Sequence, residues 1–298
     1  MGKILNWLLV VGCWLFVAAC STTDRPTEQQ VVEHSKDVET WFEKRVDELK
    51  SHDGWLNLAG LFWLKDGMNS FGSDVDNDVV FPAGKIAPKA GYFLLNGQQV
   101  NMIPSPGSDL IETVVFHPDS TKTIYVAHKA LEWFIIRRDD KFGIRLRDLE
   151  SDGVKNFKGI DRYPVEYSWK VPARFEPAKA GETIDITNVL GQTTAETLTG
   201  TYNFEIEGKE YKLAATGTGQ KLFIVFGDAT NGKETYPAGK FVYADRPDST
   251  GLAFIDFNKS YNPPCAFTDF ATCPLPPRQN VLSVAISAGE KNYELHTK

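Results

Sequence analysis

Residues 92–100 read Tyr-Phe-Leu-Leu-Asn-Gly-Gln-Gln-Val, and this stretch decides the fold class. The Asn96-Gly97 pair is the strongest short signal for a two-residue β-hairpin, because both turn positions need a positive φ that Asn and Gly adopt readily. Residues 142–147, Phe-Gly-Ile-Arg-Leu-Arg, alternate apolar and basic side chains, as in a strand with one buried face. Both segments predict antiparallel β structure.

Short apolar runs separated by turn residues continue this pattern along the chain. Hydrophobic residues make up 42% of the sequence and aromatic residues 12%, which favours β structure around a substantial core. Pro164 and Pro172 interrupt one strand-like segment and predict a seam between two β subdomains. The second subdomain contains predicted strands at 183–189, 193–207, 210–216, 222–226, 240–244, 252–257 and 281–286.

Residues 28–53 precede this β body and read as one amphipathic helix. Val38, Trp41 and Leu49 recur at helical spacing, and Gly54 supplies a stop. We expect the apolar stripe to pack on its own domain. The alternative is a surface for a partner.

The first 20 residues have the three parts of a secretory signal: Lys3, the apolar run 4–17, and small residues before Cys20. The ending Val-Ala-Ala-Cys resembles the lipobox of bacterial lipoproteins. That resemblance implies cleavage of a signal peptide at 1–19, acylation of Cys20, and a lipidated tether over 20–27. The alternatives are an ordinary secretory signal and an uncleaved anchor helix.

Ser21 follows the predicted lipidation site. By similarity to Gram-negative lipoproteins, serine at this position implies transfer to the outer membrane, with the body facing the periplasm. In a Gram-positive host the same anchor would place the body on the outer cell surface. The sequence therefore predicts a membrane-anchored lipoprotein of the cell envelope, held by acyl chains.

The charge balance excludes one class of partner. The 298 residues contain 32 Lys and Arg and 39 Asp and Glu, and the formal net charge is −7. No basic cluster is longer than Arg137-Arg138, so we expect no nucleic-acid binding. The sequence also contains no phosphate-binding or dinucleotide-binding motif and no zinc-ligand spacing, so neither a cofactor nor a metal ion is predicted. It indicates no oligomeric state.

Two cysteines remain beyond the signal and the lipidation site, Cys265 and Cys273. An even pair in an oxidising compartment favours a disulfide. A metal site lacks accompanying ligands, and a catalytic thiol lacks a local base.

The leading candidate site is the polar, Pro-rich loop over residues 256–280. Prolines reduce the ordering cost of a loop, and loops on a rigid β scaffold commonly carry binding and catalytic groups. Asp256 is a candidate base or anchor, and Arg278 can hold a carboxylate. The alternative is a loop whose polar groups satisfy one another. Four further candidates can orient a ligand by hydrogen bonds: Asn258, Tyr261, Asn262 and Asn280.

Two further groups are candidates outside this loop. Arg145 and Arg147 lie on one predicted strand face and can bind an anionic ligand, or else form a solvated face paired with acids. Asp228 and Glu234 flank a tight turn, and two such carboxylates facing one pocket would suit acid–base hydrolysis.

Several rare strings resemble a bacterial family known only as domain of unknown function 1684. The family name implies no activity. Lys240 departs from the family pattern, which tends to have Arg there, so bidentate anion binding at that position is not expected. The resembling strings lie at 54–56, 72–78, 143–148, 227–236 and 256–277.

Residues 67–81 also resemble, more faintly, the start of a forkhead-associated β-sandwich, in which a Gly-x-x-x-x-Asn-Asp-Val stretch precedes a short strand. The phosphothreonine-binding residues of such modules are absent, since Ser73 follows Gly72 where those modules have Arg. The resemblance therefore implies a sandwich without that activity.

The predicted fold is mainly β: an N-terminal helix followed by two packed β subdomains. The first subdomain (54–171) is expected to be sandwich-like, and the second (172–298) to carry the Pro-rich loop. The first functional hypothesis is a lipid-anchored envelope protein that binds a small or glycan-like ligand between the β subdomains. The alternatives are a periplasmic hydrolase that uses Asp256 with the neighbouring Asn and Tyr residues, and a structural interaction module.

Overall fold

The computed structural model describes residues 25–293. The predicted signal peptide and the predicted lipidation site at Cys20 lie outside these residues. Within the described range, no helix has both the length and the apolar composition needed to cross a membrane.

The described residues begin with a helix, α1, over Glu28–Lys50, which ends three residues before the predicted limit at 53. A capping box fixes its start: the Thr27 side chain accepts from the Gln30 backbone N–H, and the Gln30 side chain accepts from that of Thr27. Val38 and Leu49 are buried, so the apolar stripe packs on the body of the protein. An isolated helix of this length is marginal in water, and this packing supplies its stability.

Two mainly antiparallel sheets follow and enclose a common apolar core. The five-stranded sheet contains the predicted hairpin, in which Asn96 pairs with Gln99 and Gly97 has a positive φ of 60°. Phe71, Trp133 and Ile144 are among the fully buried core residues. The strands are β1 (Leu58–Trp63), β2 (Gly67–Gly72), β3 (Val79–Val80), β4 (Gly91–Asn96), β5 (Gln99–Pro104), β6 (Thr113–Phe116), β7 (Val126–His128), β8 (Leu131–Arg138) and β9 (Lys141–Asp148).

The spatial order of the strands is β3-β2-β4-β5-β6 in one sheet and β1-β9-β8-β7 in the other. All pairs are antiparallel except β2 with β3. The alternation predicted for 142–147 is present in β9: Phe142, Ile144 and Leu146 enter the core, and the two arginines face the other side of the sheet. A short helix, α2 (Asp152–Lys155), then leads to the second half.

A seven-stranded antiparallel sheet forms the second half, in the order β15-β14-β13-β12-β10-β16, with β11 paired to β12. β16 also lies beside β15, so the sheet curls around its own core. Tyr202 and Phe257 are fully buried in that core. The strands are β10 (Lys170–Pro177), β11 (Thr183–Thr187), β12 (Thr193–Ile206), β13 (Lys209–Thr216), β14 (Lys221–Phe226), β15 (Lys240–Asp245) and β16 (Leu252–Asp256).

The fold class is therefore confirmed as mainly β, with one N-terminal helix and several packed sheets. The domain limits at 54, 172 and 298 stay predictions. The strand predicted at 281–286 is wrong, because these residues form only one isolated bridge, from Val281 to Gly227. Leu282 and Ile286 are nevertheless buried in the core of the seven-stranded sheet.

The Pro-rich loop, residues 256–280, crosses the outer face of β14 and β15. Ala271 and Cys273 pack there on Val225 and Phe241, and the half-buried Trp55 joins the same cluster. Three short 3₁₀ turns give the loop its shape: Phe257–Lys259, Pro264–Ala266 and Arg278–Asn280.

Cys265 and Cys273 are paired within this loop, with a Cα–Cα distance of 6.2 Å, as the sequence predicted. Replacing both by alanine is expected to lower the free energy of unfolding by about 2.5 kcal/mol, because the bridge no longer restricts the unfolded chain. Urea denaturation of the double variant and of the reduced wild type should give the same loss. Equal stability of oxidised and reduced wild type would contradict this expectation.

Candidate functional site

A groove with a cavity volume of about 510 Å³ lies between α1 and the outer face of β14 and β15. Adjacent residues on these strands alternate between the sheet core and the groove, so Phe223 and Tyr243 lie opposite each other on the groove side. We call this cavity the aromatic groove. Its aromatic lining consists of Trp41 from α1, Trp55 from the turn after α1, Phe223, Phe241, Tyr243 and Tyr261.

Tyr261 lies at the centre of this lining. Its backbone exchanges two hydrogen bonds of 2.9 Å with Phe241. These bonds fix the loop to β15 shortly after the chain leaves β16. Its ring lies 6.3 Å from that of Tyr243, nearly parallel, and 6.1 Å from that of Trp41. Burial raises the pKa of the Tyr261 phenol, so it remains a neutral hydroxyl at physiological pH.

Arg45 forms the cationic part of the groove. Its guanidinium lies 4.7 Å from the centre of the Tyr261 ring. Nε donates to Glu290 at 3.1 Å, and Nη2 donates to the Asn262 carbonyl at 3.1 Å. Burial raises the pKa of Glu290, while Arg45 and the Asn262 N–H oppose this by stabilising the carboxylate. Two exposed charges, Lys44 and Glu48, complete the polar rim.

Asp256 lies at the other end of α1 and makes a contact that the sequence did not predict. Its carboxylate is 2.9 Å from Nε2 of His34, whose ring is buried against Tyr167. Asp256 also accepts hydrogen bonds from the backbone and side chain of Asn258. Nothing in the local sequence around Asp256 points to a histidine 222 residues earlier.

The three asparagines proposed as ligand groups make hydrogen bonds inside the protein. The Asn258 side chain bonds to the backbone of Glu166. The Asn262 side chain donates to the Lys291 carbonyl, and its backbone N–H donates to Glu290. Asn280 is buried and bonds to the backbone of Ala214 and Val225, which joins the loop to β13 and β14. Arg278 is exposed at the neighbouring turn. Of the seven predicted ligand residues, only Tyr261 lines the aromatic groove.

Asp228 and Glu234 do not face a common pocket with Asp256. The Asp228 carboxylate is fully buried and lies 2.9 Å from the Lys240 ammonium, which is also fully buried. Its other oxygen accepts from the backbone N–H and hydroxyl of Thr230 and from the Ile286 N–H. Glu234 is exposed on the adjacent turn. The three predicted carboxylates thus belong to three different environments.

Lys240 is held by the polar groups around this turn. Its ammonium donates to the Ile286 carbonyl at 3.0 Å and lies 5.5 Å from the Phe226 ring centre. Burial lowers the pKa of Lys240, and the Asp228 carboxylate opposes that shift. The pair ties the turn to the C-terminal segment, and neither group is accessible to a ligand.

Arg145 and Arg147 lie on the face of β9 turned away from the sandwich core, and both are buried. Arg147 donates to the Gly54 carbonyl at 2.6 Å and to Asn57 Oδ1 at 2.7 Å. Arg145 lies 5.8 Å from the ring centre of Trp55, which also lines the aromatic groove. The sequence placed these arginines on one face correctly, but it did not indicate their burial.

No group of three or more His, Cys, Asp or Glu side chains with the geometry of a metal site occurs within residues 25–293.

These features define a mainly β protein with a helix-covered, aromatic-lined groove. Residues 155–291 match a family model described as "Protein of unknown function (DUF1684)", which supports the family resemblance found in the sequence. The resembling strings at 227–236 and 256–277 lie inside the match. Those at 54–56, 72–78 and 143–148 precede it.

No curated protein matches the chain. A similar solved structure is the solution NMR structure of an uncharacterized protein of Haloarcula marismortui, with 28% sequence identity and a TM-score of 0.40. The match covers 48% of this chain and 80% of that chain.

Replacing Lys240 by methionine is expected to lower the free energy of unfolding by about 3–5 kcal/mol, because the Asp228 carboxylate then stays buried without its counter-ion. Adding Asp228→Asn should recover much of this loss, since the amide is neutral and its oxygen still accepts hydrogen bonds. Chemical denaturation followed by tryptophan fluorescence measures both changes. A single variant as stable as the wild type would contradict the importance of the pair.

Proposed function

We propose that this protein is a lipid-anchored cell-envelope protein that binds a small or glycan-like ligand in the aromatic groove. One observation carries the proposal: half-buried aromatic side chains from the helix, the following turn, the sheet and the Pro-rich loop line one open cavity. Ligand sites are concave and mainly apolar, with a few polar groups that orient the ligand.

The exposure of the aromatic rings supports this proposal. A tyrosine that only fills a core is buried, whereas Tyr243 is 48% exposed although it stands in the middle of a strand. Trp41, Trp55 and Tyr261 are half-buried and also contribute to the lining. Flat aromatic surfaces of this kind stack on the apolar faces of sugar rings and on other planar groups.

The polar rim supports a ligand with hydroxyl or charged groups. Lys44 and Glu48 lie one helical turn apart on α1 and offer a donor and an acceptor at the groove entrance. Arg45 is already bound to Glu290 and Asn262, so its role is to hold the Tyr261 ring in place. The groove therefore combines a fixed aromatic surface with adjustable polar groups.

The groove also lies close in sequence to the predicted anchor. Helix α1 begins at Glu28, and its residues Trp41 to Glu48 line the groove. With acylation at Cys20, a tether of only seven residues, 21–27, would join the membrane to the helix that covers the groove. A ligand of the envelope would then be met near the membrane surface.

Binding should depend on Tyr243. In Tyr243→Ala the affinity for a ligand identified from a set of neutral sugars, including glucose and N-acetylglucosamine, is expected to fall by about tenfold, equivalent to about 1.4 kcal/mol. Tryptophan fluorescence, to which Trp41 and Trp55 of the groove contribute, reports binding.

The matched control is Tyr92→Ala, because Tyr92 is 42% exposed and also stands on a strand, but in the five-stranded sheet. This variant should bind as the wild type does. Equal losses in both variants, or none in Tyr243→Ala, would contradict binding in the aromatic groove.

The anchor has a separate test. Cells expressing the full chain with labelled palmitate should incorporate label into the wild type, and Cys20→Ser should lose the label. Cys13→Ser is the matched control, since Cys13 lies within the predicted signal peptide and should not affect labelling. Equal labelling of Cys20→Ser and the wild type would refute acylation at Cys20.

A further inference from the structure

Arg145 is a buried cation for which residues 25–293 supply no counter-ion. The side chain is 7% exposed, and its Nε is buried without a hydrogen-bond partner. The charged groups that act most strongly on it are Arg138 and Arg147, and both are cations. Burial, with these neighbours, lowers the pKa of Arg145 to about 10.

An unpaired buried charge is expensive, and the other buried cations of this protein avoid that cost. Arg45 is paired with Glu290, and Lys240 is paired with Asp228. Arg147 has Glu132 at 4.0 Å and two hydrogen-bond acceptors. Arg145 is therefore the exception among these four buried cations.

A second arginine and two aromatic rings lie around Arg145. β9 places Arg145 and Arg147 on the same face, two residues apart, and the Nε of Arg147 is also buried without a hydrogen-bond partner. The Trp55 ring lies 5.8 Å from the Arg145 guanidinium. The Phe134 ring lies at the same distance from Arg147. The unpaired Nε–H of Arg145, beside a second cation and an aromatic ring, suits a small planar anion.

We propose that Arg145 binds a single carboxylate group. The charge balance selects this group over a doubly charged phosphate, because Glu132 already faces Arg147 and only the charge of Arg145 is uncompensated. A carboxylate also matches the planar fork of a guanidinium.

Trp55 connects this site to the aromatic groove, because its ring faces Arg145 and also lines the groove. The ligand of the groove is accordingly an acidic one, such as a sugar acid, with its ring in the groove and its carboxylate at Arg145. This identification of the ligand rests on the proposed function. The carboxylate site itself does not.

The experiment compares glucuronate with glucose, which share a ring and differ in the carboxylate, and adds acetate as the anion alone. Calorimetry should show glucuronate binding to the wild type about tenfold more tightly than glucose. In Arg145→Met the two sugars should bind within about twofold of each other. The NMR signal of the Arg145 Nε–H is assigned as the one that disappears in Arg145→Lys. At constant ionic strength this signal should shift saturably with acetate and with glucuronate.

Stability gives a readout that separates binding from structure. Arg145→Met should have a melting temperature no lower than that of the wild type, since it removes an uncompensated buried charge. The matched control is Arg174→Met, at an exposed arginine on β10, which should leave the preference for glucuronate intact.

The outcomes distinguish the two proposals. If glucose and glucuronate bind equally well to the wild type, the groove stands and the placement of the ligand's carboxylate at Arg145 is refuted. If neither sugar binds but acetate shifts the Arg145 signal, the carboxylate site stands and the proposed function fails. If acetate and glucuronate leave that signal unchanged, or if Arg145→Met lowers the melting temperature, the carboxylate site is refuted.

Discussion

The buried contact between Arg45 and Glu290 is the constraint on which the arrangement of the groove depends. It joins helix α1 to the C-terminal segment across 245 residues. The backbone of Asn262 bonds to both partners, so the Pro-rich loop is held by the same contact. Separating the helix from the C-terminal segment would leave each buried charge without its partner, which costs several kcal/mol. Separating the loop would remove one hydrogen bond from each of the two charged groups. Because the guanidinium also covers Tyr261, the same contact that docks the helix sets the floor of the aromatic groove.

Features encoded locally could be predicted from the sequence. The Asn96-Gly97 turn, the alternation of β9 and the helix at 28–50 each depend on residues close in the chain, and the structure contains all three. The Cys265–Cys273 pair was predictable because only two cysteines follow the predicted signal and the predicted lipidation site. The contacts of Arg45 with Glu290 and of His34 with Asp256 span more than 200 residues, so no local sequence pattern indicates them.

The Pro-rich loop shows why a polar sequence can be mistaken for a ligand-binding site. Asn258, Asn262 and Asn280 looked like ligand groups because a loop rich in amides and prolines resembles a binding site. In the structure their amides satisfy backbone groups that the irregular loop and its neighbours would otherwise leave unpaired. The strand prediction for residues 281–286 failed because a short apolar run alone was taken as a sign of a strand. Leu282 and Ile286 are buried as in a strand, but Leu282 donates to Gly227 outside any ladder.

The arginine pair on β9 raised two alternatives, an anion site or a solvated face paired with acids, and neither describes both residues. Arg147 is neither solvated nor free, since Gly54, Asn57 and Glu132 surround it. Arg145 is as buried as Arg147, yet no acid faces it within residues 25–293. The two arginines stand two positions apart on one strand. They differ in whether the protein supplies an acidic partner. A stabilising role explains Arg147 completely. It does not explain Arg145, because a methionine of similar length would pack there without an unpaired charge.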